Sequence, residues 1–224
     1  MNTLARTTPS AALAVAQRSR FTGWSAIASG IALLIVGEKP YFPPSFSLLM
    51  LLATLVLYLG MMPVIRWIAA GLAARNMGRG AAAASGASGA NRPGAARIGE
   101  IIGITGVVVA VATALFAQPH WLPAVSAQIL DTSALGVIGL WLLVANVLAL
   151  GARLFNRVLA LLGVLAGLGW LLAAVVMWAE LTAGDLGSLT STLEGVRTFG
   201  SYLAEALYLI WALWLGIWLL VRKR

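Results

Sequence analysis

Four stretches of this chain contain no charged side chain at all: residues 21–37, 41–65, 132–152 and 158–179, which are 17, 25, 21 and 22 residues long. A helix needs about 20 mostly apolar residues, with roughly 17 to 25 as the working range, to cross the hydrocarbon core of a bilayer. Two more stretches read the same way: 98–117, rich in Ile, Val, Gly and Ala, and 202–221, interrupted by Glu205 near its start. The bilayer interior supplies no water to backbone N–H and C=O groups, so a spanning segment closes its own hydrogen bonds as a helix or joins a closed barrel. Barrel strands alternate polar and apolar residues over about ten positions. Leu48, Leu49, Met50, Leu51 and Leu52, by contrast, are apolar in succession. The expected class is therefore all-α, a polytopic bundle of six transmembrane helices.

Composition agrees and excludes much chemistry. At 61% apolar and 10% charged residues, the chain has too little polar side chain to wet a soluble surface, where about half and a quarter are usual. It has no Cys and one His, which rules out disulfide staples, thiolate metal centres, Cys nucleophiles and paired-His ligation within the chain. His120 lies between two prolines beside Trp121 and reads as a solvated loop residue rather than an acid–base partner of Asp131. The chain shows no nucleophile elbow, zinc-protease helix or phosphate-cradling glycine loop. A non-enzymatic protein without a cofactor or metal is expected.

Orientation follows from where the bases fall. One side of a six-span arrangement collects Arg6, Arg18, Arg20, Arg66, Arg75, Arg79, Arg92, Arg97, Arg153, Arg157, Arg222, Lys223 and Arg224, which is 13 of 15, and the other keeps Lys39 and Arg197. Cytoplasmic loops retain Lys and Arg, so both termini are expected in the cytoplasm. Arg outnumbers Lys by 13 to 2 and Ala and Gly abound, as in a GC-rich bacterial genome, so the expected location is the bacterial inner (plasma) membrane. The net charge of +8 then faces anionic lipid headgroups, and no nucleic-acid partner is implied.

Four parts are expected: a basic cytoplasmic tail at 1–20 rather than a cleaved targeting segment, a transmembrane hairpin at 21–72, a flexible Ala/Gly/Ser/Arg linker at 73–97, and a four-span bundle at 98–224. Proline-stiffened turns with aromatic residues at 37–44 and 118–123 suit the opposite headgroup level. Leu186, Leu189, Leu193 and Val196 repeat at helical spacing, and Ser191 and Glu194 have capping-box spacing. They predict an interfacial helix near 186–197 on the outer surface.

Candidate functional residues are few. Ionisable groups inside a membrane are functional suspects, which singles out Glu205, about one turn inside span six, and Glu100 at the inner mouth of span three, where Arg97 stands ready to pair with it. Trp211, Trp214 and Trp218 share one helix face and read as a packing surface or a lipophilic groove. Asn146 offers an interhelical hydrogen bond. Gly99, Gly103 and Gly106 in span three, and Asn156, Gly163 and Gly167 in span five, form small-residue stripes that let helix backbones approach, within this chain or between two copies of it. The expected role is packing against a membrane partner or stabilising a membrane complex. The alternative is a small solute or lipid transporter, homodimeric in one version, that uses Glu205 and the tryptophan face.

Overall fold

The computed structural model describes residues 9–37, 47–83, 93–117, 123–183 and 188–221. These form six α-helices: α1 (Pro9–Gly37), α2 (Ser47–Ala83), α3 (Pro93–Ala117), α4 (Ala124–Ala152), α5 (Arg157–Ala183) and α6 (Ser188–Val221). All six are long and apolar enough to cross a membrane. At 1.5 Å per residue even α3, with 25 residues, reaches ~38 Å, against a hydrocarbon thickness of about 30 Å.

Local chemistry sets the helix ends. Pro9 and Pro93 open α1 and α3, where the missing N–H costs nothing and the fixed φ suits the first turn. Between α4 and α5 the chain turns within four residues. Arg153 adopts φ 52°, and the N–H groups of Arg153 and Leu154 fold back to the carbonyls of Leu150 and Ala149 at 3.2 and 2.9 Å. The Arg75 guanidinium adds a 2.7 Å bond to the Ala152 carbonyl, so a cation from α2 covers the carbonyl end of α4. Asn156 then caps α5, its Oδ1 accepting the Val158 N–H at 3.0 Å. Asn156 is exposed and stands before the first residue of α5, so it caps that helix instead of extending the glycine stripe.

Two boundaries differ from the sequence reading. Residues 73–83 and 93–97, which composition alone assigns to a flexible linker, are helical parts of α2 and α3; alanine is the best helix former, so the helical state carries on past the apolar run. Residues 188–197 are continuous with span six, forming the first turns of the 34-residue α6. The basic residues at 1–8 and 222–224, the turns at 38–46 and 118–122 with His120, and the low-complexity stretch at 84–92 lie outside the described residues.

The helices close into a ring. Each packs on its neighbours in chain order, and α6 packs back on α1. Cross-contacts show neighbouring helices antiparallel: Gly23 and Gly30 of α1 face Gly216 and Ala212 of α6, and Gly103 and Gly106 of α3 face Trp141 and Ile138 of α4. The ring is pinched on one side, where α2 also touches α4, leaving α3 seated on the outside of that pair. The start of α1 and the end of α6 therefore lie at the same end of the bundle. The centre is filled by side chains, with Ile65, Leu142, Leu159, Tyr208, Trp211 and Leu215 among those buried there.

Candidate functional site

At the end of the bundle opposite the termini, the ring encloses a cavity of about 360 Å³. Five helices contribute to its lining: Leu33 and Val36 from the end of α1, Leu57 and Tyr58 from α2, Gln128, Asp131 and Thr132 from α4, Trp170 and Ala173 from α5, and Arg197, Thr198, Ser201, Tyr202 and Glu205 from α6. The seat of α3 outside the α2–α4 pair explains why it supplies none of these.

The polar groups converge because each lies on an inward helix face toward the same end of the bundle, Asp131 about two turns and Glu205 nearly five turns from the start of its helix. Asp131 of α4 accepts a 3.1 Å hydrogen bond from the Tyr58 hydroxyl of α2. Glu205 of α6 accepts from Ser201, one turn earlier, at 3.4 Å, and both carboxylates lie within electrostatic reach of the Tyr58 hydroxyl. Arg197 stands at the rim and pairs with Glu180 of α5 at 3.1 Å, which ties α5 to α6 across the mouth. Trp170 is 2% exposed, and its Nε1–H is buried without an acceptor among the described residues. A buried donor left unpaired costs about 1–3 kcal/mol.

Below the cavity the bundle is sealed. The Trp170 and Tyr208 rings lie 5.0 Å apart and the Tyr208 and Trp211 rings 5.8 Å apart, stacking aromatic bulk along the axis. Ser29 of α1 donates to the Leu57 carbonyl at 2.8 Å, and its single proton being so used, the Tyr208 hydroxyl donates to Ser29 Oγ at 2.6 Å. Deeper still, Trp211 Nε1 donates to Asn146 Oδ1 at 3.2 Å, and the Asn146 amide donates to the Leu142 carbonyl at 2.7 Å. A closed floor under a polar vestibule is the chemical outline of a binding site reached from one end.

The residues singled out from sequence divide between this site and the scaffold. Glu205 is in the vestibule wall. Asn146, fully buried, is an interhelical bond beneath it. The three tryptophans do not act as one face: Trp211 is 1% exposed inside the bundle, Trp214 is 38% exposed outside it, and Trp218 meets Trp67 and Phe155 edge-on at 6.2 and 6.4 Å. Seven residues turn a helix through about 700°, 20° short of two full turns, and a ring of neighbours on both sides divides the stripe. Glu100 sits beside a narrow crevice with Trp141 and Leu72. Among the described residues no ion pair joins it to Arg97, in keeping with the small gain from a pair at a solvated helix end. Gly103 and Gly106 pack on Trp141 and Ile138, Gly163 on Asn146 and Gly167 on Gly139, whereas a methyl group at Gly99 would meet nothing within 4 Å.

The sequence reading weighed Asp131 only as a partner of His120 and counted Arg197 only as an outer base, and it did not single out Tyr58 or Trp170. The charge-free run starts after Asp131, yet α4 begins at Ala124, putting Asp131 two turns inside a helix. The apolar spacing of Val125, Ile129 and Leu130 before it was the available signal. No known family profile, curated protein or solved structure matches the chain.

Proposed function

We propose that this chain is a small-solute carrier of the bacterial inner membrane, with both termini cytoplasmic and the vestibule opening on the outer face. The observation that supports it is the convergence of Asp131 and Glu205, from two different helices, on one sealed-bottom cavity with Tyr58 and Arg197. Membrane-embedded carboxylates are costly and mark solute or proton paths when they face a cavity rather than lipid. The arginine distribution supports the orientation, and the first turns of α6 then stand at the outer interface. The reading requires no bond to be made or broken, so it is a binding and transport role rather than an enzymatic one.

The test is transport in proteoliposomes. Solid-supported-membrane currents are recorded for a panel of amines, amino acids, sugars and carboxylates, with the native chain and with Glu205→Gln and Asp131→Asn. One solute class is expected to give a current that either substitution reduces at least tenfold. Currents for no class, or currents indifferent to both substitutions, would overturn the proposal. Packing against a membrane partner or a second copy is the second reading, supported by the open surfaces over Gly99 and Gly151. Its sign is a stable complex surviving mild detergent.

A further inference from the structure

We infer that the outward-facing crevice between α5 and α6 is a binding site for one hydrocarbon chain of a membrane lipid. It lies on the outside of the bundle, on the opposite face of these two helices from the vestibule, and does not depend on what the vestibule carries.

The crevice follows from two glycines. A methyl group at Gly169 would sit 2.8 Å from the Ala204 side chain and 2.9 Å from the Gly200 carbonyl oxygen, so the two helices meet there almost backbone to backbone. Bulky side chains rise on either side: Leu165, Leu168 and Leu172 from α5, and Val196, Phe199 and Leu203 from α6, each 41–70% exposed. A low floor between high rims leaves a slot of about 660 Å³. Of the residues lining it, Thr192 at the outer end alone carries a polar side chain.

Depth and size decide the occupant. Both walls belong to apolar spans, Arg157–Thr182 and Ser191–Val221, so the slot opens on lipid rather than water. Along α6 it runs from Thr192 to Leu207, ~22 Å at 1.5 Å per residue, against about 15 Å for half the hydrocarbon core. A helix ~10–12 Å across would displace more than twice the volume of the slot over that length. The bulky rims would also hold its backbone off the glycine floor, whereas close helix association needs small residues on the meeting faces. A hydrocarbon chain fits. The slot holds roughly twenty water-sized groups at ~30 Å³ each, about the bulk of one chain of a membrane lipid. Lipid offers no hydrophobic drive, so the chain is retained by contact with the floor and both rims, contacts that an unfilled slot forfeits.

The experiment is photolabelling of the full chain in nanodiscs of dioleoyl-phosphatidylglycerol, doped with the same lipid carrying a diazirine in one chain, with the labelled positions mapped by mass spectrometry. The outward-facing surface of α3, with Ile101 and Val108 more than half exposed, supplies the reference for lipid that merely brushes past. The rims of the slot should be labelled about tenfold more than Ile101 and Val108, the ratio that 1.4 kcal/mol provides. Gly195 lines the slot, and nothing lies within 4 Å of a methyl placed there. Gly195→Phe therefore fills the slot without pressing on the fold, and should bring rim labelling down to the α3 level while leaving α3 unchanged. Gly195→Leu should give a smaller drop, and elution volume checks that both variants stay folded. Gly195→Cys places one thiol in a chain that has none, so a disulfide-linked dimer formed in liposomes would mean that a second copy covers the slot. That dimer, equal labelling of rims and α3 in the native chain, or an undiminished excess in folded Gly195→Phe would each overturn the proposal.

Discussion

Substituting Gly167 by alanine isolates how tightly the helices are drawn together. A methyl group there would sit 2.5 Å from the Gly139 carbonyl oxygen and 2.6 Å from the Leu143 nitrogen. Both obstacles are backbone, so α4 and α5 must separate by about 0.9 Å to reach ordinary contact at 3.4 Å. Overpacking of this kind costs about 1–3 kcal/mol. Alanine in a helix interior recovers ~0.8–1.0 kcal/mol over glycine. Gly99→Ala supplies the comparison, because nothing lies within 4 Å of the added methyl and only the propensity gain remains. The two variants should therefore move in opposite directions or nearly so, and their difference, in which the propensity gain cancels, should be about 1–3 kcal/mol. Reversible unfolding in mixed micelles, followed by tryptophan fluorescence, measures both. If the two variants fall within about 0.5 kcal/mol of each other, the usual scatter for substitutions that touch nothing, the close α4–α5 seam is refuted.

Two buried bonds offer further checks in the same assay. Asn146→Leu keeps the branched shape but leaves Trp211 Nε1 without its 3.2 Å acceptor, and should cost about 0.6–1.7 kcal/mol, from the average to the largest value seen for interhelical bonds in a membrane bundle; a stabilised variant would contradict the assignment. Ser29→Ala strands the Tyr208 hydroxyl, whereas Tyr208→Phe leaves Ser29 still bonded to the Leu57 carbonyl. Because an orphaned buried group costs more than a pair removed, Ser29→Ala should be the more destabilising of the two, and the reverse order would show that the hydroxyl donates elsewhere.

The spans were readable because they answer to one-dimensional quantities. Charge-free length decides whether a segment crosses, and the Arg spacing alone separates span four from span five at Arg153 and Arg157. The break between them depends on a left-handed residue that is not glycine and on Asn156 as a cap, and neither stands out against an apolar background. Glu205 was legible because a carboxylate inside a span is rare. Its companions were not, since Tyr58 and Trp170 look like ordinary span residues until the ring brings α2, α4, α5 and α6 to one place. The tryptophan stripe misled for the opposite reason. Helical spacing describes one helix, but burial is decided by the two neighbours that flank it, and these took Trp211 inward and left Trp214 outside.

The same ring accounts for why the cavity lies at one end. Toward the termini and through the middle, small residues bring the backbones close: Gly23 faces Gly216, Gly60 faces Ser29, and Gly163 receives Asn146. The large side chains on the axis, Tyr208, Trp211 and Leu215, then fill the little space left. Toward the other end the axis-facing positions are Asp131, Thr132, Ser201 and Glu205, which cannot pack dry without losing their hydration. Asp131 accepts from Tyr58 and Glu205 from Ser201, so both carboxylates are engaged by polar neighbours at this end. A bundle that simply held itself together would lose little by replacing these half-buried residues with Leu or Val. Their presence on the axis, at the end sealed from below, is the observation that supports the proposed solute binding over packing alone.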